Sequence, residues 1–133
     1  MAISSKKQKN YDEALYYYKK AYDIALDSIV RLNIINNEAV VHIKQKMYNK
    51  AKAKLDPIIK LNLLSTDSLL LAKIKGNLAF AKSKLNDANA EKELLGALNL
   101  RKRIRDNSGL FANNIHLAEY YLCLLYTSDA ADD

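Results

Sequence analysis

The sequence predicts an all-α fold, a solenoid of antiparallel helix pairs in a right-handed superhelical stack. Three observations lead to this fold class. The chain has 133 residues with only 3 Gly and 1 Pro, which leaves little material for hairpins. Apolar residues recur at steps of three and four along nearly its whole length, which is the helical period. One longer spacing of tyrosines, alanines and large apolar residues also returns, as it does in helical repeats.

That longer spacing is Y-x2-A-x3-Y-x2-A. Its occurrences, the last lacking the first member, are Tyr11/Ala14/Tyr18/Ala21, Tyr48/Ala51/Leu55/Ile58 and Ala90/Leu94/Ala97. Between these lie segments that also contain a small residue, at Ala39, Ala79 and Ala118. Small residues at such positions allow two helices to cross closely.

Six helices follow from the periodicity. The first is expected over 10–27, with Tyr11, Ala14, Leu15, Tyr18, Ala21, Tyr22 and Ala25 inward. The second is expected over 28–46, with Leu32, Ile35, Ala39, Val40 and Ile43 inward. The third is expected over 48–61, where Pro57 predicts a kink or an early end because it lacks a backbone donor. Short loops predict that consecutive helices are antiparallel neighbours.

The remaining three helices have recognisable ends. Ser65, Thr66 and Asp67 are good N-cap residues for a fourth helix that reaches about residue 85. The fifth is expected over 87–105, and its final RKRIR complements the negative end of a helix. The sixth is expected from Gly109 to at least Leu122.

The last eleven residues, CLLYTSDAADD at 123–133, resemble a translated sequencing-library adapter in every position. The alternative is a natural helix end with an acidic tail. We expect residues 1–122 to be the repeat array, truncated at Leu122, and residues 123–133 to be non-native. The only cysteine, Cys123, lies in this tail, so residues 1–122 have no means of forming disulfides, thiolate nucleophiles or zinc–cysteine sites.

Charge and hydropathy restrict the partners. The formal net charge is +6, and without the tail the acidic residues fall from 15 to 12 against 21 basic ones. A basic surface attracts nucleic acid or anionic lipid, but lysines spread along the whole chain favour a solvated helix face, so nucleic-acid binding ranks low. No apolar run approaches the roughly 18 residues of a membrane span. Residues 1–10 lack a signal-peptide stretch, which favours a cytoplasmic location.

This pattern resembles the tetratricopeptide repeat over residues 2–122. In that family a small residue on each helix of a pair marks the close crossing. By resemblance these are Ala39, Ala79 and Ala118 on first helices and Ala14, Ala51 and Ala90 on second helices, with Tyr18, Leu55 and Leu94 filling the gap. His42 and Lys82 stand where the family has an aromatic residue. Segment 98–122 also resembles repeat arrays of bacterial regulators, which precede a histidine kinase or helix-turn-helix domain.

Nothing in the sequence indicates catalysis. His42 and His116 are far apart and have no ligand partners at metal-binding spacing, and there is no Gly-rich phosphate loop or nucleophile elbow. We therefore expect neither an enzyme nor a cofactor or metal. The run Tyr16, Tyr17 and Tyr18 suggests a base-stacking platform, but helical geometry sends the three rings in different directions and favours packing.

The resemblance implies a peptide-binding groove on the first helices. Its candidate residues are Asn33, Asn36, Asn37, Val40, Lys44, Lys73, Phe80, Lys84, Ile115 and Glu119. Asn offers both a donor and an acceptor to a peptide backbone, and lysines favour an acidic ligand or a free carboxylate. The alternative is that these are ordinary solvated positions.

Three functions remain open at this point. The chain is either a protein or peptide interaction module, a sensory segment of a larger bacterial signalling protein, or a basic nucleic-acid-binding surface. The sixth helix, with Leu117, Ala118 and Tyr121, is expected to expose an apolar strip and to support self-association.

Overall fold

The structure is a computed structural model that describes residues 3–63 and 67–132, with side chains described up to Tyr126. The described chain is all-helical, which confirms the all-α part of the predicted fold class. Its helices are α1 (Ser5–Ile24), α2 (Ser28–Lys44), α3 (Tyr48–Lys60), α4 (Ser68–Lys84), α5 (Ala90–Arg103) and α6 (Asn107–Asp132). Within these residues no helix is long and apolar enough to cross a membrane.

The helices are arranged in two rows. Each helix packs against the next one in the chain, and α2, α4 and α6 also touch one another in that order. In the described parts of the chain, α3 touches neither α1 nor α5. We call α2, α4 and α6 the even row and α1, α3 and α5 the odd row. Every interior odd helix therefore lies against two even helices.

The core consists of two clusters that share α4, one between α2, α3 and α4 and the other between α4, α5 and α6. The alanines of the repeated spacing are at its centre, since Ala39, Ala51 and Ala79 have no exposed surface and Ala90 has 1%. Leu55, Ile74 and Leu94 are the largest side chains that are fully buried. Small residues at the crossings let the helices approach, and these large ones fill the space beside them.

The end helices are less well covered. No residue of α1 is buried, and its predicted inward stripe is only half-buried along its length. On α6, Ala118 and Tyr121 are exposed as predicted. Leu117 differs from that prediction, because it packs against Ala79, Leu94 and Leu98 and is 7% exposed.

The helix boundaries differ from prediction where a polar side chain caps an end. Ser4 accepts the N–H of Lys7 at 3.3 Å, so α1 begins at Ser5 and not at Asn10. Asp27 accepts the N–H of Ile29 at 2.7 Å and starts α2, so the first helix cannot extend to Asp27. Such caps satisfy amide groups that the helix itself leaves unpaired.

Later boundaries follow the same rule. Asp67 accepts the N–H of Leu70 at 2.9 Å and caps α4, while Ser65 and Thr66 lie outside the described residues. α5 is an exception, because its N-cap residue Asn89 makes no side-chain capping bond. Asp87 accepts the N–H of Asn89 at 2.8 Å in the preceding turn, and the helix begins at Ala90 and not at Asp87. α6 begins at Asn107, two residues before the predicted Gly109, and continues beyond Leu122 through the adapter-like segment.

Pro57 neither breaks nor clearly shortens α3. The helix continues past it to Lys60, one residue before the predicted end, and the N–H of Leu61 bonds to the Pro57 carbonyl at 3.0 Å. Both Pro57 and Ala53, whose carbonyl loses its helical donor, lie on the exposed face. Water can therefore satisfy that carbonyl, which reduces the usual cost of an interior proline.

Four helices end in the same left-handed turn without glycine. The residues with positive φ are Lys46, Asn62, Asn86 and Arg105. In each turn the following residue donates its N–H five residues back, as from Met47 to the carbonyl of His42 at 2.8 Å. This is the Schellman arrangement, and it reverses the chain in a few residues.

Candidate functional site

The predicted groove residues all lie on the even row. Six are exposed and three half-buried, and only Asn36 is buried, at 4% exposure. The exposed members are Asn33, Lys44, Lys73, Lys84, Ile115 and Glu119. The charged residues among these exposed candidates are three lysines and one glutamate. The candidate contacts of the even row therefore carry a net positive charge.

Asn36 connects two even helices. Its amide oxygen accepts a hydrogen bond from Nδ2 of Asn77 on α4 at 2.9 Å. Because it is buried and bonded in this way, Asn36 contributes to helix packing, and its neighbours Asn33 and Asn37 are the more accessible amides of α2. The repeated spacing identified Ala79 but gave no indication of the bond between Asn77 and Asn36.

An aromatic contact joins α4 to α6. The rings of Phe80 and His116 stack with centroids 4.3 Å apart and planes at 28°. Tyr48 meets the edge of Phe80 at 6.2 Å, and the Lys84 ammonium lies 5.4 Å from the centre of the Phe80 ring. Cation–π attraction holds Lys84 above that ring.

A cleft of about 230 Å³ opens beside this stack. Three predicted groove residues line it, namely Phe80, Lys84 and Glu119, together with His116. Ser83, Asn86, Asp87, Ala88 and Tyr120 complete the wall within residues 1–122, and Cys123 and Leu124 of the adapter-like segment add to it. We call this the α4–α6 cleft. The α2 residues, Lys73 and Ile115 do not line it.

His116 gives the cleft a neutral aromatic wall. Burial lowers the pKa of His116, and the charges of Lys84 and Arg101 lower it further while Glu119 raises it. Its Nδ1 is buried and makes no hydrogen bond within the described residues. The imidazole is therefore uncharged at neutral pH, so that Lys84, Glu119 and Asp87 supply the charge of the cleft, and Asp87 is paired with Lys52 at 4.0 Å.

A buried arginine lies beneath α6 and was missed by sequence reasoning. Arg101 pairs with Asp106, and Asp106 also accepts the N–H of Gly109 at 3.1 Å. A Cβ on Gly109 would lie 2.5 Å from Cδ of Arg101, so a larger residue there would force the side chains of Arg101 and Asp106 to move. Sequence reasoning assigned RKRIR to the helix end as a whole. The only signal in the sequence was Asp106 at N-cap spacing from Gly109.

Lys82 occupies the place where an aromatic was expected by resemblance. Its Nζ lies 2.9 Å from Glu93 on α5 and 3.7 Å from Asp56 on α3. Burial would lower the pKa of Lys82, but the hydrogen bond and charge of Glu93, with Asp56 and Asp87, outweigh burial and raise it. Lys82 thus stays charged and links three helices. It therefore forms ion pairs where the resemblance led us to expect an aromatic side chain.

His42, the other exception, is buried and contacts Gln45 Oε1 through Nδ1 at 3.2 Å. Burial lowers its pKa, with Lys54 and Lys50 acting in the same direction. Across the described side chains, no three His, Cys, Asp or Glu residues are grouped as a metal would require.

Comparison with known proteins does not assign this chain to a family, since no family model, curated protein or solved structure matches it.

Proposed function

We propose that this chain is a tetratricopeptide-type helical repeat whose even row binds an acidic peptide, with the α4–α6 cleft as the main contact. The observation that carries the proposal is the cleft itself. It combines an aromatic stack, a lysine above it, the carboxylate of Glu119 and that of Asp87, which is paired with Lys52, within one concave space between two even helices. Concave sites with an apolar base and a few polar groups are where ligands bind.

The arrangement of the helices supports this proposal. The even helices touch one another in order while the odd helices do not, which is the layering expected of stacked helix pairs. The closely crossing alanines are buried at both interior pairs, Ala39 with Ala51 and Ala79 with Ala90. A stack of this kind presents one continuous surface made of its even helices.

The chemistry of that surface favours a negative ligand with an apolar or aromatic side chain. Lys44, Lys73 and Lys84 are exposed on α2 and α4, and α4 carries no acidic residue. The Phe80 ring beside Lys84 offers an apolar contact next to a positive charge. Asn33 and Asn37 supply amide groups for a peptide backbone.

Fluorescence anisotropy with labelled decapeptides tests the proposal. The probes are a Glu-rich peptide with a central Phe, the same peptide with Phe replaced by Ala, and a Lys-rich counterpart. We expect the first to bind most tightly and the Lys-rich peptide not to bind. Lys84→Ala should weaken binding of the first peptide by at least about fivefold, since it removes a charged contact at the cleft.

The matched control is Lys92→Ala, because Lys92 is an exposed lysine on the odd row. It changes the net charge equally and should leave the affinity within about twofold. Equal losses of affinity in both variants would mean that binding depends only on net charge, and would contradict the α4–α6 cleft as the binding site. Tighter binding of a single-stranded oligonucleotide, with affinity falling steeply with salt, would instead support the nucleic-acid alternative.

A further inference from the structure

One face of α6 is apolar and has no helix against it in the described chain. Phe111, Ile115, Ala118 and Leu122 follow one another at steps of four, three and four residues, which places them in one stripe. Phe111 is 72% exposed and Leu122 is 50% exposed, although the opposite face of α6 is buried through Asn113 and Leu117. We call this the α6 stripe.

A second uncovered edge lies on α1. Ala14, Tyr17, Ala21 and Ile24 follow at steps of three, four and three residues. Tyr17 is 65% exposed and Ile24 is 80% exposed, while the two alanines are only half-buried. We call this the α1 edge. It alternates small and large residues, as a helix does where another helix packs closely.

The molecule contains this kind of contact twice in complete form. Ala39 on α2 and Ala51 on α3 belong to one buried cluster, and neither is exposed. Ala79 on α4 and Ala90 on α5 are equally covered. The repeated spacing puts Ala118 on α6 and Ala14 on α1 at the equivalent positions, yet Ala118 is exposed and Ala14 half-buried. Two crossings are therefore complete, whereas Ala118 and Ala14, which occupy the two positions of a third crossing, are not fully covered.

We propose that a second copy of this chain docks head to tail, with its α1 edge against the α6 stripe of the first copy. The alanines on each surface leave space for the large side chains of the other. Charge does not oppose the contact, because Glu119 is the only ionised side chain of α6 up to Tyr126, whereas α1 carries five lysines and three acids. The proposal rests on the internal equivalence of the crossings and not on peptide binding.

The symmetry of this contact has a measurable consequence. The two surfaces differ, so each copy keeps one of them free after pairing, and association continues into longer chains of copies. A contact built mainly on one helix pair falls below the standard interface of about 1,200–2,000 Å². We therefore expect weak association whose mean size rises with concentration and has no fixed end point.

Sedimentation velocity of the full chain over about a hundredfold range of concentration tests this expectation. The wild type should shift progressively to larger species. Ala118→Glu on the α6 stripe and Tyr17→Glu on the α1 edge should each weaken self-association by at least about tenfold. Leu69→Glu is the matched control, because Leu69 is 48% exposed near the start of α4, belongs to neither surface and should leave association unchanged.

Mixing the two interface variants is the decisive step. Ala118→Glu keeps an intact α1 edge and Tyr17→Glu keeps an intact α6 stripe, so an equimolar mixture should form a 1:1 pair that grows no further. A Tyr17→Glu variant that associates like wild type would indicate that two α6 stripes pair with each other, which overturns the proposal. A wild type that stays monomeric throughout also overturns it. Unchanged circular dichroism of the variants shows that each comparison concerns folded protein.

Discussion

The centre and the ends of this molecule carry the same sequence pattern but different degrees of burial. Leu55 and its neighbour Ala51 in α3 are completely covered, whereas Tyr18 and Ala14, at the same places in the pattern of α1, are half-exposed. α3 lies against two even helices and α1 against one. The pattern therefore indicates which face of a helix is inward. How much of that face is buried depends on whether both neighbours are present.

The largest expected effect tests this difference directly. Leu55→Ala should cost about 2–5 kcal/mol, because it opens a cavity in a fully packed site. Tyr18→Ala at the equivalent position of α1 should cost about 1 kcal/mol, since solvent already reaches that side chain. Denaturant unfolding of both variants against wild type measures the two losses. Equal losses would mean that α1 is as tightly packed as α3.

The next effect concerns the crossing alanines. Ala39→Leu should overfill the α2–α3 crossing and cost about 1–3 kcal/mol. Ala118→Leu makes the same change on exposed α6 and should alter stability by less than about 0.5 kcal/mol. The denaturation midpoint is the measurement. An unchanged midpoint for Ala39→Leu would show that the helices do not cross at that residue.

A third experiment concerns the start of α6. The backbone hydrogen bond from Gly109 is the largest influence on the pKa of Asp106 and lowers it. Burial raises this pKa, and the hydrogen bond and charge of Arg101 lower it again, so that it lies below its usual value. A lowered folded pKa adds stability that is complete above the unfolded value, about 3.9, and is lost as pH falls through the folded value. Asp106→Ala should therefore cost about 1–2 kcal/mol at pH 7, and the gap to wild type should close below about pH 4.

Asp106→Asn separates the two contributions. Asparagine also caps helices, so this variant should keep much of the capping stability but lose its dependence on acid. Unfolding curves from pH 2 to 7 would distinguish them, taken at steps of about half a pH unit. If the difference in unfolding free energy between wild type and Asp106→Ala persists at pH 2, the charge of the carboxylate contributes nothing to the stability of α6.

The smallest effect concerns the left-handed turns. Lys46→Gly at the centre and Arg105→Gly near the end should each raise stability by about 0.5–1 kcal/mol, because glycine adopts positive φ without steric cost. Thermal unfolding of the single variants and of the pair measures both gains. A loss at either site would mean that the replaced side chain contributes more than the strain costs.

Sequence reasoning obtained the number and order of helices, because the apolar period is a local property. It misplaced the boundaries at Ser5 and Asn107, because each depends on a single capping side chain outside the apolar pattern. It also misplaced the start at Ala90, because Asp87 lies in a turn that precedes the helix. Of the two effects expected of Pro57, an early end of α3 is wrong, because the helix continues to Lys60 and exposure of the affected carbonyl could not be known.

The candidate site could be predicted from the sequence only in part. Register placed Phe80, Lys84 and Glu119 on the even row, and the structure brings these three to one cleft. The stacking of Phe80 on His116 and the bond between Asn36 and Asn77 join residues 36 and 41 positions apart. Such contacts depend on how one helix is offset along another, and no local pattern specifies that offset.

The bond between Asn36 and Asn77 has a consequence for any ligand that spans α2 and α4. A helix rises about 1.5 Å per residue, and a hydrogen bond tolerates only a few tenths of an ångström in length. The 2.9 Å contact therefore fixes the axial offset between the two helices to less than one residue. If this surface binds a peptide as proposed, a ligand touching Asn33 and Lys73 would have to match a constant separation, and binding would select for length as well as charge.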